Sequence, residues 1–329
     1  MSFIDGIKDL AKSNIKTIVL PEALDIRTIE ATHEIIKEGF AKVVLVGNED
    51  EIKSKAGAID ISGAEIINPV NSEKYNLYCE SLYELRKSKG ITLEDAQKLI
   101  KDPVYYGMMM VKLGDADGLV SGACHSTADT LRPALQILKT APNTKLVSSF
   151  FIMDVPNCEY GEDGLFVFSD CGLVENPDSE SLSEIAISSA KSFEQLVKKQ
   201  AKVAMLSYST MGSGKSDMVQ KVIDATVLVK EKVSDILVDG ELQLDAAIVP
   251  EIGKMKAPNS KVAGNANVLI FPDLEAGNIG YKLVERLAKA KAYGPLTQGI
   301  AKPINDLSRG CCSADIVGVV AFTCVQAQN

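Results

Sequence analysis

The stretch Lys302-Pro303-Ile304-Asn305-Asp306-Leu307-Ser308-Arg309-Gly310-Cys311-Cys312-Ser313-Ala314-Asp315 places a hydroxyl, a guanidinium and a carboxylate within eight residues. The fork of Arg309 can grip a phosphate or carboxylate through two parallel hydrogen bonds. Ser308 can donate to a developing oxyanion, and Asp315 can take a proton. A blander reading stands beside this one. If Ser313 caps a following helix, Asp315 lies in its first turn and simply complements the helix dipole.

Arginine is scarce. Only five of the 35 basic residues are arginine: Arg27, Arg86, Arg132, Arg286 and Arg309. Lysine supplies the ordinary surface charge, so an arginine kept against that bias suggests a need for the planar fork. For Arg86 and Arg132, ligand binding and a structural ion pair or solvated helix face remain equally open. Arg286 reads as a surface residue.

Two glycine-containing loops join a strand to a helix. In Gly122-Ala123-Cys124-His125-Ser126-Thr127 the backbone N–H groups and helix dipole favour an anion, unless Ser126 is only an N-cap. His125 is a possible base, but no partner for it is visible in the sequence. The second loop, Ser207 to Ser216 (SYSTMGSGKS), resembles a P-loop. It has Ser209 where a Walker A needs glycine, and Asp217 where a dinucleotide fingerprint does. A turn touching some phosphate and a plain helix start both remain open there.

The elements that must position these groups alternate. Strands are expected at 16–20, 42–47, 118–122, 145–153, 164–170, 202–207 and 268–271. Helices are expected at 26–38, 76–89, 92–101, 127–140, 217–232, 280–290 and 313–327. Ser181 with Glu184 has capping-box spacing and opens a further helix to about residue 199. This alternation means βαβ units and a parallel sheet.

With 329 residues, 46% hydrophobic and 24% charged, the chain is an ordinary globular protein of about two domains. The net charge of −9 argues against a nucleic-acid coat. No secretory start or run of 18 apolar residues is visible, so no membrane span is expected. Seven cysteines and only two histidines, without a C-x-x-C pair, point to free thiols in a reducing cytoplasm and to no metal site.

With these residues in hand, the chain resembles the phosphate acetyl/butyryltransferase family, and within it the phosphate acetyltransferases. The matching pieces are LPEALDIRT at 20–28, DADGLVSGACHSTADTLRPALQILKT at 115–140, SYSTMGSGKS at 207–216, DGELQLDAAIVPEI at 239–252, FPDLEAGNIGYKLVERLA at 271–288 and PINDLSRGCCSADIV at 303–317. The resemblance implies an α/β fold of two three-layer domains with a cleft between them, like the isocitrate and isopropylmalate dehydrogenases. Domain one would be 1–145 plus 296–329 and carry the catalytic loop. Domain two would be the inserted 146–295, forming the cleft wall and the dimer interface.

The implied reaction is acetyl-CoA plus phosphate to acetyl phosphate plus CoA, with butyryl or propionyl transfer as the alternative. Coenzyme A is a substrate, no cofactor or metal is implied, and activation by monovalent cations belongs to the same expectation. The implied setting is a cytoplasmic homodimer in acetate metabolism, coupled to acetate kinase, with no nucleic-acid or membrane partner. By the same resemblance Asp315 is the base, and Ser308 and Arg309 stand at the reacting centre. Arg86, Arg132, Ser126, Thr127, Thr130, Tyr281, Lys282 and Gly310 bind CoA or phosphate, and Cys311 is a nearby thiol that is not the nucleophile. The thiolate of CoA would attack the acyl carbon directly in a ternary complex. A dehydrogenase on the same fold would need acidic metal ligands and a nicotinamide site. A ligand-sensing module would not need Ser308, Arg309 and Asp315 together.

Overall fold

The computed structural model describes residues 2–142 and 144–328. Eleven strands are found among them: β1 (Lys16–Leu20), β2 (Ala41–Val46), β3 (Glu65–Ile67), β4 (Gly118–Ser121), β5 (Ser148–Asp154), β6 (Leu165–Ser169), β7 (Lys202–Leu206), β8 (Leu237–Leu242), β9 (Val268–Ile270), β10 (Lys291–Gln298) and β11 (Ile304–Asp306). The chain divides into two compact units, one of residues 1–142 with 300–329 and one of 143–299.

Unit one holds a five-stranded sheet in the order β11-β4-β1-β2-β3, every pair parallel. Its inner strands β1, β2 and β4 are short apolar runs because both faces are covered. A side chain at Gly118 would meet Thr323 and Ile18 on one face, whereas one at Gly107 would meet Leu119 and Val19 from the other. Thus Ile18 faces the C-terminal helix Ser313–Gln326 and Val19 faces the helix Pro103–Leu113, as strand alternation requires. The C-terminal helix is apolar on nearly all sides and buried from Ile316 to Val325. It packs against the helices Phe3–Ser13 and Ile26–Glu38 as well as β4. On the other face Tyr78, Tyr106, Met108, Met109 and Ile137 share a core with Val44 and Leu119.

Strand order reverses between β1 and β4. From β1 the chain runs outward through β2 to β3, and from β4 to β11 on the other side. The carboxyl ends of strands at such a reversal are where open α/β sheets bind ligands. The loops after β1, β4 and β11 all start there.

Unit two holds a six-stranded sheet in the order β10-β5-β6-β9-β7-β8. The α/β class holds in both units, but this second sheet is not the parallel sheet expected. Strand β5 runs antiparallel to both β6 and β10. A short connection (residues 155–164) joins β5 to β6, too short for a parallel crossover. Two expected caps also move. The helix Ser179–Val197 is capped by Asp178, which accepts from Ser181 N at 2.8 Å. The C-terminal helix has Cys312, not Ser313, at its N-cap.

Candidate active site

The loop after β1 begins Pro21-Glu22, and Glu22 is 7% exposed. Its carboxylate accepts from Ala123 N at 2.8 Å, Cys124 N at 2.7 Å and His125 N at 2.9 Å. It also lies 2.8 Å from His125 Nδ1. The amides that the sequence offered to a substrate anion are therefore held by an anion of the protein itself. Ser126 caps the helix Thr127–Ile137, its hydroxyl accepting from Asp129 N at 3.3 Å and donating to Asp129 Oδ2 at 2.6 Å, so the capping reading of this residue holds. Thr127 is exposed at the first turn, while Thr130 is buried.

Arg27, in the first turn of the helix Ile26–Glu38, joins two of the loops. It donates from Nε and Nη2 to Asp25 at 2.9 and 2.8 Å. Nη2 also donates to Ala123 O at 2.8 Å, and Nη1 to Arg309 O at 2.8 Å and Cys311 O at 3.0 Å. The Arg27 guanidinium holds the Asp25 carboxyl far below the usual carboxylate range. The pair thus stays charged and pins the loop after β4 to the loop after β11.

Asp306 ends β11 beside Ser121 of β4. Burial pushes its carboxyl up to about 6, with the nearby Glu22 charge adding to the effect. The Thr127 and Thr130 hydroxyls are close enough to draw it partly back. Even so, Asp306 Oδ1, Thr130 Oγ1 and Ser121 Oγ are buried without a hydrogen-bond partner among the described residues. Gly122 (φ 105°) makes this approach possible, since a Cβ there would lie 2.5 Å from Asp306 Oδ1 and Leu307 N.

Beyond Asp306 the chain turns out to solvent. Leu307 N donates to Ser121 O at 2.7 Å and Cys311 N to Ser308 O at 2.9 Å. Gly310 N donates to Ser308 Oγ at 3.3 Å. Ser308, Arg309 and Gly310 are exposed. The Arg309 guanidinium has no hydrogen bond or ion pair among the described residues, although its own carbonyl is fixed by Arg27. Asp315 is exposed and accepts from Cys312 N at 2.8 Å, closing the first turn of the last helix. Cys311 is buried, and its thiol is pushed up to about 11 by burial. Its sulfur keeps its proton at neutral pH, which suits a packed thiol and not a nucleophile.

An exposed serine and a free arginine on a pinned loop suit transfer of a group between anionic substrates. The chain is similar to proteins named for such a transfer. The model of the family described as phosphate acetyl/butaryl transferase matches residues 2–324. The chain belongs to this family.

A phosphate acetyltransferase of Acetivibrio thermocellus is 66% identical over 328 residues, covering 100% of this chain and 99% of that protein. One of Thermoanaerobacterium thermosaccharolyticum is 59% identical, covering 100% of both. The crystal structure of a phosphotransacetylase from Streptococcus pyogenes is 42% identical with a TM-score of 0.93, covering 100% of this chain and 99% of that one. This member of the phosphate acetyl/butaryl transferase family is therefore a transferase.

Two more arginines expected to bind ligand lie in unit one. Arg86 ends the helix Tyr75–Arg86, and Arg132 stands exposed on the helix Thr127–Ile137. Both influence the Tyr105 hydroxyl, which donates to Gln136 Oε1 at 3.3 Å. Neither has a hydrogen bond or ion pair among the described residues. The ion-pair reading left open by the sequence therefore has no direct contact to rest on, although the Arg132 charge is felt by Asp129 one turn before it.

Tyr281 and Lys282 lie in unit two on the helix Leu274–Leu287. Tyr281 stacks on Phe151 at 4.1 Å, and Lys282 bonds Asn278 Oδ1 at 2.8 Å. The P-loop-like turn has its donors engaged internally. Gly212 N bonds the buried Glu241 at 2.7 Å, Gly214 N bonds Ser209 Oγ at 2.7 Å and Thr210 N bonds Ser213 Oγ at 2.9 Å. It is a helix-starting turn built around Glu241. All seven cysteines are free thiols, and no group of three or more metal-ligating side chains occurs among the described residues. No helix there is long and apolar enough to cross a membrane.

Sequence reasoning passed over Glu22, Arg27 and Asp306 as site residues. Arg27 carried the signal of arginine scarcity, and all three share a signal of position, since each lies within seven residues of the carboxyl end of a parallel strand.

Proposed function

We propose that this chain is a phosphate acetyltransferase acting by direct attack of the CoA thiolate on acetyl phosphate. The observation that carries this reading is the free Arg309 guanidinium beside Ser308, on a loop fixed from beneath by Arg27. An unpartnered fork there is prepared for a phosphate, and its charge offsets the oxyanion that grows on the acyl carbon. Ser308 donates to the same oxyanion. Asp315 takes the thiol proton. A thiol is a far weaker acid than a carboxylic acid, so that proton moves as sulfur attacks and not before it. The transfer then passes through a ternary complex with no acyl-enzyme. Arg86 and Arg132 hold the phosphates of CoA or the acyl phosphate, with Thr127, Thr130 and Gly310 lining the same side.

Acetyl rather than butyryl or propionyl is supported by relatives at 66, 59 and 56% identity, all named phosphate acetyltransferase. The wider setting is part of the proposal. Two copies pair through unit two, where Ile279, Leu283 and Leu287 form an exposed apolar stripe at helical spacing. The acetyl phosphate formed is a substrate for acetate kinase, and the free thiols suit the cytoplasm.

The test is thioester formation from CoA with acetyl phosphate and with butyryl phosphate, varying both substrates. Faster acetyl transfer with intersecting initial-rate lines is expected. Parallel lines would reject the ternary complex, and faster butyryl transfer the assigned substrate. Repeating the assay in potassium and in tetramethylammonium buffers tests activation by monovalent cations.

A further inference from the structure

The proposed reaction leaves a proton unaccounted for at the phosphate end. When the acyl C–O bond of acetyl phosphate breaks, its electron pair stays on the phosphate oxygen. Without a proton the product is the phosphate trianion, a base too strong to leave readily at neutral pH. Asp315 accepts a proton at the sulfur end and has none to give at the other end. A second group must donate there, and must accept when hydrogen phosphate attacks acetyl-CoA in the reverse direction.

We propose that His125, oriented by Glu22, is that group. The inference rests on the acetyl-transfer reading above. His125 immediately precedes Ser126 and Thr127 in the loop after β4, which Arg27 ties to the Ser308–Arg309 loop through Ala123 O, Arg309 O and Cys311 O. Its Nδ1 lies 2.8 Å from Glu22 Oε1. The Glu22 side chain is only 3% exposed and already accepts three backbone N–H groups. An acceptor so placed leaves Nδ1 as the donor, which makes Nε2 the nitrogen that gains and loses the working proton. The ring is 34% exposed, and Nε2 has no hydrogen bond among the described residues. The charged groups facing the ring are Glu22 from the loop after β1, Asp129 from the following helix and Asp306 from β11. Arg27 binds the same loop two residues before His125, at Ala123 O.

The step balances. Sulfur forms the new bond to the acyl carbon as its proton passes to Asp315. The C–O bond breaks toward oxygen, and that oxygen takes the proton from Nε2, so hydrogen phosphate leaves. Water then restores the proton on His125 and removes the one on Asp315. The carboxylate–imidazole pair resembles the orienting half of a hydrolase triad, here serving a leaving group instead of a nucleophile.

His125→Asn is the test variant, because the Asn amide nitrogen can take the place of Nδ1 toward Glu22 while Nε2 is lost. The wild-type protein is assayed first. If it forms no acetyl-CoA from acetyl phosphate and CoA, the acetyl-transfer reading has failed. If it does, His125→Asn should lose kcat by about 10²–10⁴-fold in both directions. Its KM for acetyl phosphate should change less than about threefold, since the loss is confined to the transition state. The alkaline limb of the forward pH profile should disappear, and free imidazole should partly restore turnover to His125→Gly. His125→Gln, with an amide near the Nε2 position that cannot titrate, should be as slow as the Asn variant and carries the test if that variant does not fold. Three results would overturn the proposal: near-wild-type kcat, a change only in KM for acetyl phosphate, or slow turnover with an unaltered pH profile and no imidazole rescue.

Discussion

Arg27 donates a hydrogen bond of 2.8 Å to the main-chain oxygen of Arg309, across 282 residues of sequence. One arginine thereby sets the backbone from which another projects. The first guanidinium is fully engaged, with Asp25, Ala123, Arg309 and Cys311, while the second is unpartnered. A lysine at position 27 could not bridge both loops, because it has one nitrogen and no fork. Arg27→Lys is expected to lower kcat at least about tenfold and to cost about 1.5–3 kcal/mol of stability, the range for hydrogen bonds to a charged group. Urea melts and steady-state rates check both, and an unchanged midpoint with full turnover would refute the pinning.

Asp306 predicts a pH-dependent stability. Burial lifts its carboxyl from 3.8 to about 6, so the folded state holds the proton more tightly than the unfolded chain does. That contribution is fully present below the unfolded value and is lost as pH rises through about 6. Ionised Asp306 then costs up to about 3 kcal/mol. Asp306→Asn keeps the shape and cannot ionise. Its stability relative to wild type should therefore rise as pH goes from about 4 to about 8. Urea melts across that series giving a constant difference would show that Asp306 does not titrate as described.

The unpaired state of Arg86 and Arg132 predicts binding defects. Neither makes a hydrogen bond or ion pair among the described residues, so removing it should leave little behind to relax. Arg86→Ala and Arg132→Ala should raise KM for CoA or acetyl phosphate more than they lower kcat, as loss of uniform binding does. Unchanged KM for both substrates in both variants would remove these arginines from the site.

Parts of this arrangement were legible in the sequence. Lys16–Leu20 and Ile26–Glu38 have the bounds that their apolar spacing and Gly39 suggest. The helix Pro103–Leu113 had no readable stripe because it is apolar on most sides, with seven of its eleven residues buried. Strand β11 is three residues long and two of them are polar, so only its pairing with β4 identifies it as a strand. The exposed trio Ser308, Arg309 and Asp315 could be found because it is local. Glu22 and its loop could not, because the hydrogen bonds join residues about a hundred positions apart. Their donors are backbone amides, which leave no mark on residue type.

Asp315 carries two readings that one variant separates. As a base, Asp315→Asn should fold normally and lose kcat by about 10²–10⁴-fold. Partial recovery is expected toward pH of about 8.5, where CoA is already thiolate. As a cap alone, bonded to Cys312 N, it would lose about 0.3–1 kcal/mol of stability and leave turnover nearly intact. Melting temperature and turnover measured on the same sample decide between them, and a lower melting temperature with full turnover would send the search for the thiol-side base elsewhere.

The central claim is that the loop after β11 performs the acyl transfer through the fork of Arg309. The most direct measurement is kcat for acetyl-CoA formation in Arg309→Lys beside wild type, at saturating CoA and acetyl phosphate. A point charge keeps the sign and loses the two-toothed geometry. Loss of a transition-state donor costs about 2.7–4 kcal/mol, so kcat should fall by at least about a hundredfold. Turnover within a few-fold of wild type would contradict the claim.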